Sequence, residues 1–194
     1  MTDALRYALI AQSAYSLSPD IGQESSSARA IKVITSDGLT VAFPGTNNAE
    51  CLLTDIDALT VQVVGLGELH RGFWEAYGEI AVNLMGLSPK VVVGHSEGAA
   101  LALIYAGQLC LAGKPPAFVY AFEPPRLTMD DILALLLDAH DVQALLTRNG
   151  NDVITQVPSW MRQTERLTPI GTAAFPFDNV TDHLIENVIK ALSP

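Results

Sequence analysis

Apolar and polar positions along the 194-residue chain change period several times, and each change marks an element. Over residues 4–17, Leu5, Ala8, Leu9 and then Tyr15 or Ser16 recur at helical spacing. Gln12 interrupts that face and Thr2 or Asp3 is available as a cap, so a packing helix is expected. The serine-rich stretch 21–28 reads as a polar loop. Residues 29–35 and 39–43 read as strands joined by Ser36-Asp37-Gly38, and Asp-Gly is a strong hairpin signal. The sheet is therefore expected to begin antiparallel.

The second strand runs into Phe43-Pro44-Gly45-Thr46-Asn47-Asn48, a turn of small and polar residues at a strand's C-terminal end, where open α/β sheets place ligands. Residues 49–67 hold only one short helical pattern, near 50–59, followed by a Val/Gly-rich passage; a lid over a site and an ordinary connection fit equally. After residue 70 helices and strands alternate. Phe73, Tyr77, Ile80 and Leu84 line one face of a helix ending near Leu84. Val91-Val92-Val93 is a continuous apolar run of the kind found in parallel strands buried on both faces. A helix over 97–111 stops before Gly113-Lys114-Pro115-Pro116. A strand at 117–122 and a helix at 129–137 follow, the helix with Thr128 as cap and Asp130 and Asp131 in its first turn. Strands at 142–148 and 167–170 and a turn-helix at 181–192 complete the series. This alternation predicts an α/β fold: a mostly parallel central sheet with an antiparallel N-terminal hairpin and helices on both faces. The length suits one domain over residues 1–194.

Composition narrows the function. Hydrophobic residues at 49 % and charged residues at 16 % describe a globular chain, and a net charge of −10 argues against nucleic acid and strongly anionic lipid surfaces as partners. Cys51 and Cys110 lie in unlike contexts without metal-ligand spacing, so free thiols are expected. Neither a secretory signal nor an apolar run of membrane-spanning length is read, and a cytoplasmic location is the expectation.

The chemistry centres on Gly94-His95-Ser96-Glu97-Gly98, set between the valine strand and a helix rich in small residues. A solvated serine in a glycine-rich turn is the plainer reading of the pattern alone. A strand and a helix on its two sides turn it into a nucleophile elbow, in which a sharp turn exposes Ser96 Oγ at a helix N-terminus. The backbone N–H of Glu97 would then face an oxyanion, and the Glu97 side chain is expected to point outward. His70 and His95 are expected to be structural. Such a serine needs a base and an orienting acid, which follow it in the order acid, then histidine. Only His140 and His183 lie beyond Ser96, and His183, in the loop-rich C-terminal segment beside Asp182, is the better placed. Asp152, in the polar turn after the strand at 142–148, is the first choice of acid; Glu123, ending the strand after the serine's helix, is its rival.

Several stretches in register resemble the class 3 lipase family. Val41-Ala42-Phe43-Pro44-Gly45-Thr46 is similar to its Phe-Arg-Gly-Thr/Ser, His70-Arg71-Gly72-Phe73 to its His-x-Gly-Phe, and Gly94 to Gly98 to its Gly-His-Ser-Leu-Gly. Phe122-Glu123-Pro124-Pro125-Arg126 resembles Phe-Gly-x-Pro-Arg, Asn149 to Asp152 with Val157-Pro158 resembles the segment of the acid, and Asp182-His183 the final histidine. The resemblance implies an α/β-hydrolase fold, an ester or lipid substrate, no cofactor and no metal. It also implies Thr46 as the second oxyanion-hole element. Pro44, Glu97 and Glu123 depart from the pattern, and Cys51 to Asp55 keeps the aspartate but not the tryptophan of the family's lid stretch. Two of these departures add negative charge near the site, which disfavours long anionic substrates. Thioesterase or phospholipase chemistry on the same residues, and a non-catalytic binding module keeping the fold, are the alternatives.

Overall fold

The structure is a computed structural model that describes residues 3–46, 59–173 and 180–194. The expected short helix at 50–59, Cys51 and most of the candidate lid lie outside the described residues. Helix α1 spans Asp3–Ser16 and buries Leu5, Tyr7, Ala8, Ala11 and Ala14. Within the stretch expected to be loop, the short β1 (Ile21–Gly22) pairs with β2 (Arg29–Thr35). Strand β2 then turns through Ser36 and Asp37 into β3 (Gly38–Phe43), with Thr35 opposite Gly38, as the Asp-Gly signal predicts.

The Val/Gly-rich passage that ends the 49–67 stretch, for which a lid and an ordinary connection fit equally, runs into an antiparallel ribbon, β4 (Thr60–Val63) with β5 (Gly67–His70). Helix α2 (Arg71–Leu84), strand β6 (Val91–His95), helix α3 (Glu97–Leu111) and strand β7 (Phe118–Phe122) follow within a residue or two of expectation. Helix α4 is Ile132–Ala139, three residues later than the pattern implies. The backbone of 127–129 is otherwise engaged: Thr128 bridges Leu69 on one side and Arg162 on the other. Thr128 is therefore not the cap. The N-cap is Asp131, and the preceding Asp130 accepts the Ile132 N–H on one carboxylate oxygen at 3.0 Å and the Glu68 N–H on the other at 2.8 Å. The chain ends with β8 (Gln143–Asn149), β9 (Leu167–Ile170) and α5 (Ile185–Leu192).

The main sheet is seven-stranded in the order β1-β2-β3-β6-β7-β8-β9. Pairing is antiparallel through β3 and parallel from β3 to β9. Two apolar layers cover it. Val91 and Val93 face α1 and α5, in a cluster with Ala8, Ala11, Tyr120, Ile185 and Val188. Val92 faces the opposite way, with Val41, Val119 and the nearly all-apolar α3. Helices on both faces explain why three valines in succession are fully buried. Cys110, inside α3, is buried, and burial pushes its thiol up to about 11. No helix among the described residues is long and apolar enough to cross a membrane.

The centre of this packing is the approach of α3 to the sheet. A Cβ added at Gly94 would collide with the backbone of Gly98, and one at Gly98 with the carbonyls of Phe43 and Pro44. Backbone cannot yield as a flexible side chain can, so Gly98→Ala is expected to destabilise the protein by about 3 kcal/mol or more. Gly78, exposed on α2 with open space around its Cβ direction, provides the contrast. There Gly→Ala is expected to stabilise by up to about 1 kcal/mol through helix propensity. Urea unfolding midpoints of the two variants against wild type check both signs.

Candidate active site

Four loops meet at the C-terminal edge of the parallel strands. They follow β3, β6, β7 and β8 and are joined by the turn that precedes α5. Ser96 closes β6 with φ 58° and ψ −129°, a conformation that L residues seldom adopt, and is 1 % exposed. Its N–H bonds the Phe122 carbonyl at 2.9 Å and its carbonyl accepts the Ala99 N–H at 2.9 Å, so both sides of the elbow are fixed.

From this elbow Ser96 Oγ reaches His183 Nε2 at 2.8 Å, and His183 Nδ1 reaches Asp152 Oδ2 at 2.9 Å. The tautomer follows from the acceptor: an ionised carboxylate only accepts, so Nδ1 carries the proton and Nε2 is left to accept from the serine hydroxyl. His183 is 1 % exposed and Asp152 0 %. The second Asp152 oxygen accepts the Ile154 N–H at 2.9 Å, and the Asp152 carbonyl accepts from Thr155 Oγ1 at 3.0 Å. Asp182 fixes the two loops to each other. One of its carboxylate oxygens accepts the Asn151 N–H at 2.9 Å, and its carbonyl accepts from Asn149 Nδ2 at 2.9 Å.

The histidine before the serine has a structural task. His95 Nε2 lies 2.8 Å from the His183 carbonyl and Nδ1 lies 2.6 Å from the Tyr15 hydroxyl. A carbonyl only accepts, so Nε2 carries the proton and Nδ1 accepts from Tyr15. The Tyr15 oxygen in turn receives the Gly45 N–H. One chain of hydrogen bonds therefore ties the loop after β3, the end of α1, the elbow and the His183 turn. Burial, and then the neighbouring His183 ring, push the His95 imidazole well below its ordinary range, so it is neutral. Burial also pushes the Tyr15 phenol upward. His70 accepts the Phe73 N–H at the start of α2, and His140 lies at the C-terminal end of α4, beside the strand starts.

The oxyanion candidates sit on either side of Ser96. Glu97 supplies the first amide of α3. A Cβ on Gly45 would lie 2.7 Å from Ser96 Cβ, so the loop after β3 runs directly against the serine, with half-buried Thr46 next in line. The Glu97 side chain does not point outward as expected. It folds against the 26–28 turn, where Ser27 Oγ donates to it at 3.1 Å, and burial raises its carboxyl, opposed by that hydrogen bond and helped by Glu79.

Glu123, the rival acid, is placed behind the triad geometry rather than on the histidine. It has φ 52° and is 0 % exposed. Thr147 Oγ1 and the Asn149 N–H donate to its carboxyl at 3.2 and 2.9 Å, and it hydrogen-bonds Asp152. Burial, and then Asp152, push Glu123 well above the usual carboxylate range. That displacement works against the extra negative charge expected at this position. Tyr15 and Asn149, by contrast, gave no local signal: Tyr15 meets a partner 80 positions away.

The model of the family described as "Lipase (class 3)" matches residues 40–161, a span that holds Thr46, Ser96, Glu123 and Asp152. No curated protein sequence matches the chain. Among solved structures, the chain is similar to the Rhizomucor miehei lipase propeptide complex, with TM-score 0.68, 20 % identity, and 93 % of this chain and 78 % of that one covered. It is also similar to the lipase from Rhizopus microsporus var. chinensis, with TM-score 0.65, 19 % identity and coverage of 80 % and 68 %. For the mono- and diacylglycerol lipase from Aspergillus oryzae the values are 0.65, 18 %, and 95 % and 86 %. These likenesses carry the fold, and the sequence match over most of the chain carries the family: the protein belongs to the class 3 lipases, within the α/β-hydrolase superfamily.

Proposed function

We propose that this carboxylic ester hydrolase works through an acyl-enzyme on Ser96, with His183 as base and then acid, Asp152 orienting it, and the N–H groups of Glu97 and Thr46 holding the oxyanion. The observation that carries the reading is the unbroken buried line from Ser96 Oγ through His183 to Asp152, at 2.8 and 2.9 Å. In the first half-reaction Oγ attacks the ester carbonyl carbon as its proton passes to His183 Nε2. The imidazolium that results is held by Asp152. Collapse of the tetrahedral intermediate breaks the bond to the alcohol oxygen, which leaves with the proton from Nε2. Water, deprotonated by the same nitrogen, then attacks the acyl carbon; the second tetrahedral intermediate breaks its bond to Oγ, which takes the proton back from Nε2, and the carboxylic acid leaves.

The oxyanion contribution rests on position: an amide at the start of α3 is aimed where the negative charge develops, and the helix dipole adds to it. The substrate class that fits is a neutral ester, because the chain carries a net charge of −10 and Glu97 lies beside the nucleophile.

Hydrolysis of nitrophenyl esters tests the reading. Ser96→Ala is expected to remove activity to background, and His183→Ala to lower kcat/KM by about 10⁴-fold, with both proteins still folded by circular dichroism. Wild-type activity surviving in folded Ser96→Ala would contradict it. The pH profile gives a second check. His183 must be unprotonated at Nε2 to accept the serine proton, so kcat/KM rises with pH along its acid limb. His95, held neutral by burial and by His183, takes up no proton in that range, and the limb is expected to have the slope of one ionisation. A slope of two would show that both rings titrate together.

A further inference from the structure

We propose that Glu123 is a positioning residue of the triad: held in its neutral form, its carboxyl donates a hydrogen bond to Asp152 and so fixes and tempers the carboxylate that orients His183. The inference rests on the triad reading above. Its basis is a closed cluster of groups. Glu123 and Asp152 are each 0 % exposed, and their carboxyls are hydrogen-bonded to one another. Two ionised carboxylates in contact and shielded from bulk solvent would repel strongly, which favours one proton shared between them.

The surrounding donors decide where it resides. Asp152 receives the Ile154 N–H on one oxygen and the His183 ring N–H on the other. The second of these becomes a charge-assisted bond when His183 is protonated during turnover. Among the described residues the donors to Glu123 are neutral: the Asn149 N–H, shared by both carboxyl oxygens at 2.9 Å, and Thr147 Oγ1 on one of them. Asp152 is thus the better home for the charge and Glu123 for the proton, in agreement with the upward displacement of Glu123 by burial and by Asp152. Among the described residues, the other ionisable groups near the pair do not alter this balance. His95 is neutral, Asp182 is turned to the Asn151 N–H, and Arg126, on the loop of Glu123 itself, is directed to the Ser159 and Met161 carbonyls.

The backbone records the same commitment. Glu123 is one of three non-glycine residues with positive φ among those described, and Ser96 is another. Strain of this kind is kept where the surroundings over-determine it. During the reaction the Glu123 proton stays in place: the protons that move, from Ser96 Oγ to the leaving alcohol and from water back to Ser96 Oγ, all pass through His183 Nε2. A neutral donor on Asp152 lowers the basicity of that carboxylate, so the imidazolium is held less tightly and Nε2 is freed to accept at lower pH.

Three variants test the assignment by two readouts. Glu123→Gln keeps a neutral donor toward Asp152 and an acceptor toward Asn149. Glu123→Leu removes the donor at similar volume, and Glu123→Gly, at ease at φ 52°, serves as the donor-free variant where Leu does not fold. The first readout is the acid limb of kcat/KM on a nitrophenyl ester. The second is the titration of the His183 ring by NMR on nitrogen-15-labelled histidine, which needs no turnover. Both midpoints are expected to coincide for wild type and Glu123→Gln, and to move up by about one pH unit in the donor-free variant, a roughly tenfold loss of kcat/KM on the acid side. A Glu123→Gln midpoint below that of wild type would mean that Glu123 is ionised, and an unmoved donor-free variant would mean that it does not act on Asp152; either overturns the proposal. The NMR pattern in a protein that hydrolyses no ester would reject the catalytic reading while leaving the carboxyl pair established.

Discussion

At the end of β6 the chain must stop being a strand and become a helix within two residues, while remaining in backbone contact with the neighbouring strand loop. Ser96 at φ 58° is the result, with Gly94 passing Gly98 and Gly98 passing Phe43 and Pro44 at distances that no side chain would permit. The remainder of the site presupposes this. Only an elbow that tight lifts Oγ clear of the sheet, points the first amides of α3 at the same space, and brings the loop after β3 against the serine. The buried valine strand and the nearly all-apolar α3 supply the packing that keeps a strained residue in place.

Around the elbow the polar groups form a set in which each member is satisfied by another loop. Gly45, Tyr15, His95 and the His183 carbonyl make one line. Ser96, His183, Asp152 and Glu123 make a second. Asp182 and Asn149 join the loops from which the second line is built. Networks of this kind are stabilising only when complete, because a buried group left unpaired costs more than a typical bond returns. The site is consequently held as a unit by long-range contacts rather than by any one loop's own preference, which suits chemistry that depends on distances near 3 Å.

Much of the sheet was legible in the chain because its signals are local. Period changes marked β2, β3, β6, β7 and the helices beside them, and the run of valines announced a strand buried on both faces. The β4–β5 ribbon was not legible: its four-residue strands sit in a Val/Gly-rich passage, and they are fixed from outside by Asp130 and the Thr128 bridge. The same bridge displaced the start of α4 from Thr128, since backbone groups already paired across a sheet cannot also begin a helix. At the site, Ser96, Asp152 and His183 could be singled out by type, order and position at strand ends, and the structure brings them together. The parts that could not be read are those defined by contact alone. Tyr15 beneath His95, the inward turn of Glu97 onto Ser27, and Glu123 as neighbour to the acid rather than alternative to it all depend on what the fold brings alongside.

The central claim is that Ser96 is a nucleophile activated by its neighbours. The most direct measurement is reaction of the folded protein with a fluorophosphonate, followed by peptide mapping of the adduct by mass spectrometry. A single adduct on the peptide of Ser96, forming much more slowly in His183→Ala, is the result the account requires. A folded protein that takes up no label, or takes it up on another residue while Ser96 stays unmodified, would contradict it.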